Sequence, residues 1–315
     1  MKSRRAILVK PGHFEIEEVS VSPGPGQVLV KTEGCGLCNW ELNHWLGHIG
    51  PCPQALGHEG YGTVADVGEG VSASIKPGMR VTGLGAECFA DYFVIPEAGI
   101  MPLRKDLDQK RVPGEPLYCV VNVLRTARPE VGDCVAVVGC GPMGLWAIQG
   151  LAARSLQCLI AIDIDPAKLA LASRYGATHA IDSSTTDVAG MVDAITGGHM
   201  LDVAIEGTGG PGVNLCIRLL RPNNPRLIIM SSFKHAIEVD MVGMADKAVD
   251  MYVAHPGRAV NDRAEITRRT AVLINNGVFK TDDLVTHTYP LARINEAFAA
   301  LEHKPAGFMK GVVVP

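Results

Sequence analysis

The stretch VAVVGCGPMG, residues 135–144, constrains the fold of this 315-residue chain more than any other. VAVVG reads as a buried strand, and a helical pattern follows from about residue 142 to 153. Between them Gly139, Gly141 and Gly144 stand in G-x-G-x-x-G spacing, with Pro142 and Met143 ahead of the third glycine. In a strand–loop–helix context the first glycine makes the tight turn. The second lets backbone approach a pyrophosphate, and the third lets the helix pack on the strand. The helix N-terminus then offers free amides and a positive dipole end to phosphates. Residues 139–144 are therefore read as a nucleotide-binding loop. Some methyltransferases carry similar loops, but with a different acidic pattern and no metal-binding residues.

The rhythm continues downstream. LIAID (159–163) is a second strand, and PAKLALASRYG (166–176) a helix with Pro166 in its first turn and Gly176 at its end. HAID (179–182), LDVAIE (201–206) and RLIIM (226–230) are further strands with helical patterns between them. Near-continuous apolar strands alternating with helices predict a doubly wound parallel sheet, in the α/β class. Asp163 closes the second strand, 24 residues after Gly139. A carboxylate there accepts hydrogen bonds from ribose hydroxyls and repels a 2′-phosphate, which favours NAD over NADP. Lys168 is read either as a ribose or phosphate contact or as a solvated surface lysine.

Before residue 118 the text differs. Runs such as ILV, VLVKTE, GTVADVG and RVTGLG are punctuated by PGPG (23–26), KPG (76–78) and single glycines, as in a barrel or sandwich. Past about 253 come a helix (262–276), a short strand, a helix (292–302) and the strand GVVVP. The expected organisation is a β-rich domain over 1–118, completed by 253–315, and a nucleotide-binding domain over 119–252.

Several function classes are excluded. The formal charge is −4, so no basic surface points to nucleic acid or an anionic membrane. No apolar run approaches the roughly 20 residues of a membrane span, and the N-terminus has no apolar core of a secretory signal. Nine cysteines, an odd number in apolar surroundings, predict reduced thiols and a cytoplasmic setting.

In GCGLCNWEL (34–42), Cys35 and Cys38 form a C-x-x-C pair. The pair fits half a zinc ribbon, a redox dithiol, or a coincidence around one important cysteine. No second C-x-x-C exists, and the pair lies in the β-rich half rather than beside a βαβ unit. Other metal-binding types occur elsewhere: His58 and Glu59 in LGHEGYG, and Glu115 in EPL. One thiolate, one imidazole and one or two carboxylates suit Zn²⁺, and three protein ligands leave an exchangeable position, as in catalytic rather than structural sites.

Here the sequence resembles the zinc-dependent medium-chain dehydrogenases/reductases of the alcohol, sorbitol and threonine dehydrogenase kind. PGPGQVLVKTEGCGLC, GHEGYGTVADVGEGV, KPGMRV, EPL and VGDCVAVVGCGPMG occur in family order along nearly the whole chain. The resemblance implies a GroES-like catalytic domain and a Rossmann NAD domain. It places Cys38, His58 and Glu115 at zinc-ligand positions and Glu59 where a carboxylate enters or leaves the zinc shell. Cys35 falls at a small structural position. RVTGLGAECFADYFVIP runs through where relatives carry a four-cysteine lobe, which implies one catalytic zinc and no structural zinc. Trp40 replaces the usual Ser or Thr proton relay, and Glu41 stands for the Asp that orients the ligand histidine. Proton exit then falls to water, Glu59 or a histidine such as His44; His44 and His48 are otherwise pocket-rim or surface residues. The expected activity is hydride transfer between NAD and a secondary alcohol, such as a polyol, sugar or small hydroxylated metabolite, in a homodimer or homotetramer. A zinc-free quinone or enone reductase and a non-catalytic nucleotide-binding homologue are the rival readings.

Overall fold

The computed structural model describes residues 1–233, 235–254 and 262–315. The chain divides into two compact units: Met1–Tyr118 with Asp262–Pro315, and Cys119–Asn261. The second reaches past the residue 252 expected from sequence.

The first unit opens with strands β1 (Lys2–Lys10), β2 (His13–Ser20) and β3 (Gln27–Gly36), then a short helix α1 (Asn39–Trp45). Strands β4 (Gln54–Ala55), β5 (Gly60–Val67), β6 (Arg80–Gly83), β7 (Tyr92–Pro96) and β8 (Ile100–Pro102) follow, and α2 (Gly114–Ala127) leads into the second unit. There the elements alternate: β9 (Cys134–Val138), α3 (Pro142–Ala152), β10 (Cys158–Asp163), α4 (Pro166–Arg174), β11 (His179–Asp182) and α5 (Val188–Thr196). Next come β12 (Val203–Glu206), α6 (Gly212–Leu219), β13 (Arg226–Ile229), α7 (Met241–Lys247) and β14 (Asp250–Val253). The first unit is completed by α8 (Arg263–Asn275), β15 (Val285–Pro290), α9 (Ile294–His303) and β16 (Lys310–Val314).

The second unit holds a six-stranded parallel sheet in the order β11-β10-β9-β12-β13-β14. All five residues of β9 are buried, because helices cover both faces of such a sheet. Strand order reverses between β9 and β12, and the crevice at the carboxyl ends of such neighbours is where doubly wound sheets take ligands.

The first unit carries a seven-stranded sheet, ordered β15-β16-β3-β5-β6-β8 with β7 on β3, beside a small sheet of β2, β1 and β4. β16 runs antiparallel to β3, with Val312 opposite Gly36. Returning segments thus sit beside strands made some 270 residues earlier. Their core is aromatic: Phe298 of α9 lies 4.8 Å from Phe14, 5.4 Å from Trp45 and 5.7 Å from Phe89, ring centre to ring centre.

Several elements went unread in the sequence, among them β2, β14, α1 and α2. HFEIEEVS of β2 shows a broken alternation of exposed glutamates, and β14 is exposed at all four positions. The α1 segment is too short for a period, and α2 bridges the change of texture at residue 118. No described helix is long and apolar enough to cross a membrane.

Phe298 is fully buried and joins α9 to three aromatic partners from the N-terminal segment. Phe298→Ala is expected to lower unfolding free energy by about 3–5 kcal/mol, the range for a large aromatic removed from a core. Chemical denaturation of the two proteins measures this; a loss under about 1 kcal/mol would show that α9 contributes little to the first unit's core.

Candidate metal and nucleotide sites

In the first unit the metal-type residues converge on His58. Cys38 is the N-cap of α1, and its Sγ accepts from the Trp40 amide at 3.5 Å. The fully buried Glu41, in the first turn of α1, places Oε1 2.6 Å from His58 Nδ1. That contact turns the other ring nitrogen outward, and Nε2 lies 3.6 Å from Glu115 Oε2. An imidazole fixed by a carboxylate on one nitrogen presents the other as a lone-pair donor, the usual support for a metal-bound histidine. The donor atoms of His58, Glu59 and Glu115 lie within 4.8 Å of one another, as do those of Cys38, Glu41 and His58. Because Glu41 faces Nδ1, its role is to orient the ring. Among the described residues, both groupings that suit a metal contain His58.

The electrostatics test whether these residues fit a cation. Burial pushes the Cys38 thiol up, Glu59 and Glu41 add to the rise, and His58 opposes it. Burial works against a charged His58, yet Glu41, Cys38 and Glu115 together hold its pKa far above the ordinary value. A thiol and three carboxylates thus surround one imidazole, and these S, N and O donors suit a borderline-soft divalent ion such as zinc.

Glu59 is 1% exposed, and both its oxygens face Lys310 Nζ, at 2.8 and 2.6 Å. Lys310 had no signal in the sequence, standing 251 residues away in a strand that reads as ordinary apolar text. Gly36, inside the C-x-x-C, went equally unread: a Cβ there would come 1.9 Å from Glu59 Oε2. Cys35 is buried in β3, opposite Gly60.

Trp40 is 51% exposed, and its ring centre lies 4.3 Å from His44 and 5.4 Å from His58, edge-on to both. His44, expected as a proton-exit residue or else at the pocket rim or surface, is buried; its Nδ1 meets Gln54 Nε2 at 2.5 Å while Nε2 has no hydrogen-bond partner. Burial lowers its pKa. His48 is exposed.

In the second unit Gly139 adopts φ +98°, and a Cβ there would press on the Gly207 backbone at 2.9 Å. A Cβ at Gly144 would come 2.0 Å from the Gly139 carbonyl, whereas at Gly141 it would meet nothing within 4 Å. Gly141 caps α3, with Pro142 in the first turn and Met143 half-buried beside it. Asp163 receives the Cys140 amide at 2.6 Å and the Asp165 amide at 3.0 Å. Lys168 lies 3.5 Å from Asp165, not from Asp163. A residue the sequence did not flag shapes the facing wall: buried Glu206 accepts from Thr208 and Gly209 amides and from the Thr208 and Ser231 hydroxyls. It thereby fixes the Gly207–Gly212 turn against Gly139. An acid ending a strand before Gly-Thr-Gly-Gly was the available signal.

Comparison with known proteins identifies the family. Residues 24–105 match the alcohol dehydrogenase GroES-like domain, and residues 142–275 match the zinc-binding dehydrogenase family. The chain belongs to the zinc-type, alcohol dehydrogenase-like medium-chain dehydrogenases/reductases. It is 26% identical over 350 aligned positions to an L-threonine 3-dehydrogenase of Bacillus subtilis, covering 99% of this chain and 98% of that one. An erythritol/L-threitol dehydrogenase of Mycolicibacterium smegmatis is 27% identical over 347 positions, covering 94% and 93%. The crystal structure of 2R,3R-butanediol dehydrogenase from Bacillus subtilis superposes with a TM-score of 0.85 at 26% identity, covering 99% of each chain. The chain is thus an oxidoreductase of the alcohol dehydrogenase type.

Only residues 84–91 separate β6 from β7, and the one cysteine there, Cys88, is buried. Elemental analysis is therefore expected to find one zinc per chain. Cys38→Ser should lose most of the metal and at least 100-fold in turnover, while Cys35→Ser keeps its zinc. Two zincs per chain, or a metal-free Cys35→Ser protein, would contradict this assignment.

Proposed function

We propose that the protein interconverts a secondary alcohol and its ketone with NAD(H), using one zinc held by Cys38, His58 and Glu115. The preferred substrate class is a polyol, sugar or other small hydroxylated metabolite, by analogy with the threonine, erythritol and butanediol dehydrogenases. The observation that carries the reading is that His58 is shared by two donor groupings, one with Cys38 and Glu41 and one with Glu59 and Glu115, with buried Glu41 on Nδ1 and Glu115 towards Nε2.

Zinc in such a site supplies Lewis acidity to the substrate oxygen. The remaining work belongs to the chain. Glu41 fixes which nitrogen of His58 faces the site. Cys38 and Glu115 bring two negative charges, enough to neutralise a divalent ion. The Trp40 indole N–H is a donor only and takes no proton from the substrate. Glu59 is paired through both oxygens with Lys310. His44 stands beside Trp40, but its Nδ1 accepts from Gln54 Nε2, so in the neutral ring the buried Nε2 carries the proton and proton exit falls to water. Asp163, fixed by two backbone amides at the end of β10, supports NAD: the next residue is exposed Ile164, which offers no positive charge to a 2′-phosphate.

Turnover of a panel of polyols, vicinal diols and hydroxy amino acids with NAD at alkaline pH, followed by NADH absorbance, tests the function. No turnover of any alcohol by zinc-loaded protein would refute it. Asp163→Gly with Ile164→Arg should weaken NAD binding about 10- to 100-fold, as loss of a charge-assisted hydrogen bond does, and improve NADP. Wild-type preference for NADP would reverse the cofactor assignment.

Trp40→Ser restores a hydroxyl near Cys38 but removes a large wall. The expected result is acceptance of bulkier alcohols with little gain for the native substrate. A many-fold faster native reaction with unchanged selectivity would show that the tryptophan only obstructs proton exit.

A further inference from the structure

We infer that the Thr82 hydroxyl is a positioning group for the metal site: it ties the start of α2, and with it Glu115, to the segment that carries His58. The inference deepens the zinc reading above and rests on it. It answers a question that reading leaves: His58 and Glu115 stand on separate elements, yet their donor atoms share one grouping.

Strand pairing dictates the contact. Thr82 lies in β6 opposite Tyr61 of β5 and is fully buried. Its Oγ1 accepts from the Gly114 amide at 2.8 Å and donates to the Gly60 carbonyl at 3.2 Å. One hydroxyl therefore bridges the residue before Glu115 and the residue after Glu59, two places from His58. Arg80, two residues earlier on the same face of β6, donates to the carbonyls of Leu107, Gln109 and Lys110 at 3.4, 3.0 and 3.2 Å. Strand β6 thus holds the chain between β8 and α2 at two points, and the second falls at the helix start. Gly114 leaves the room this needs: a Cβ there would come 2.6 Å from Thr82 Cγ2 and 2.7 Å from Oγ1.

Helix physics decides what the contact does. The first amides of a helix have no partner within it, and Thr82 satisfies the one at Gly114. It does so from an oxygen already anchored beside the His58 segment. A glutamate side chain is long and rotamer-rich, so its carboxylate holds one point only if its backbone is fixed. With that backbone pinned, Glu115 Oε2 lies 3.6 Å from His58 Nε2. Valine at position 82 would have nearly the same shape but no hydrogen-bonding group. Gly60, Thr82 and Gly114 are all buried, so the freed amide and carbonyl would find no ready replacement in solvent. The first turn of α2 would then shift to satisfy them and carry Glu115 with it.

The test uses full-length protein loaded with Co²⁺, with affinity measured by chelator competition and the thiolate-to-cobalt absorption band reporting Cys38. Thr82→Val should bind Co²⁺ about 10-fold more weakly, the scale on which groups supporting metal ligands act, and keep the band. Thr82→Ser retains the hydroxyl and should match wild type. In a Glu115→Gln background Thr82→Val should change affinity less than about 2-fold, because its effect runs through Glu115. Gly114→Ala leaves the hydroxyl in place and favours the helix, so its collision with Thr82 should weaken Co²⁺ binding by a similar factor in a folded protein. That variant decides the matter if Thr82→Val fails to fold. Wild-type Co²⁺ affinity in Thr82→Val or in Gly114→Ala would overturn the inference, as would an equal loss from Thr82→Val with and without Glu115. Full Co²⁺ affinity in Glu115→Gln would instead overturn the reading of Glu115 as a ligand.

Discussion

Buried charge needs compensation, and the first unit is arranged around meeting that need. Glu41 and Glu59 are essentially without solvent contact, inside a unit whose other buried residues are mostly apolar. An unpaired carboxylate in such surroundings is costly enough to protonate or to unfold its environment. Each of these two has a cationic partner: His58 for Glu41, Lys310 for Glu59. His58 and Glu59 immediately precede β5 and Lys310 starts β16, so satisfying the acids also fixes the relative positions of α1, the start of β5 and β16. Burying an ion pair adds little net stability, but removing one partner leaves the other stranded. The pairs therefore act mainly as constraints on geometry, and that geometry makes His58 the shared member of two donor groupings.

Glycine performs the complementary task of leaving room. In the second unit Gly144 lets α3 approach the Gly139 carbonyl, and Gly139 lets the β9 loop approach the turn after β12. In the first, Gly36 makes space for an ion pair rather than for backbone. The two uses look alike in sequence, since Gly139 and Gly36 are each a single glycine beside a cysteine.

That similarity explains what was legible. The doubly wound sheet could be read because its signals are local: VAVVG, LIAID and HAID become β9, β10 and β11 within a residue or two. The glycine loop and Asp163 carry their geometry in their spacing. The metal residues were legible only as types in a pattern, because Cys38, His58 and Glu115 lie on separate elements that tertiary folding brings together. Lys310 and Glu206 could not be reached that way. One depends on a strand pairing across most of the chain, and the other on a turn whose four donors are visible only once it is folded. His44 was legible only as a residue type: whether it served proton exit or lay at a rim or surface was open in sequence, and its burial against Gln54 depends on the folded helix.

The insertion of the second unit between two parts of the first has a consequence for biosynthesis. Glu59 emerges from the ribosome 251 residues before Lys310, with all of Cys119–Asn261 synthesised in between. At ordinary elongation rates of about 5–20 residues per second, that gap lasts roughly 10–50 seconds. Throughout it the β-rich segment has its acid but not its base, and lacks α9, whose Phe298 closes the aromatic core. A nascent chain in this interval is an electrostatically unfinished object, suited to chaperone holding and open to premature capture of divalent ions by its loose carboxylates. The parallel-sheet unit, continuous in the chain, faces no such delay and can mature first.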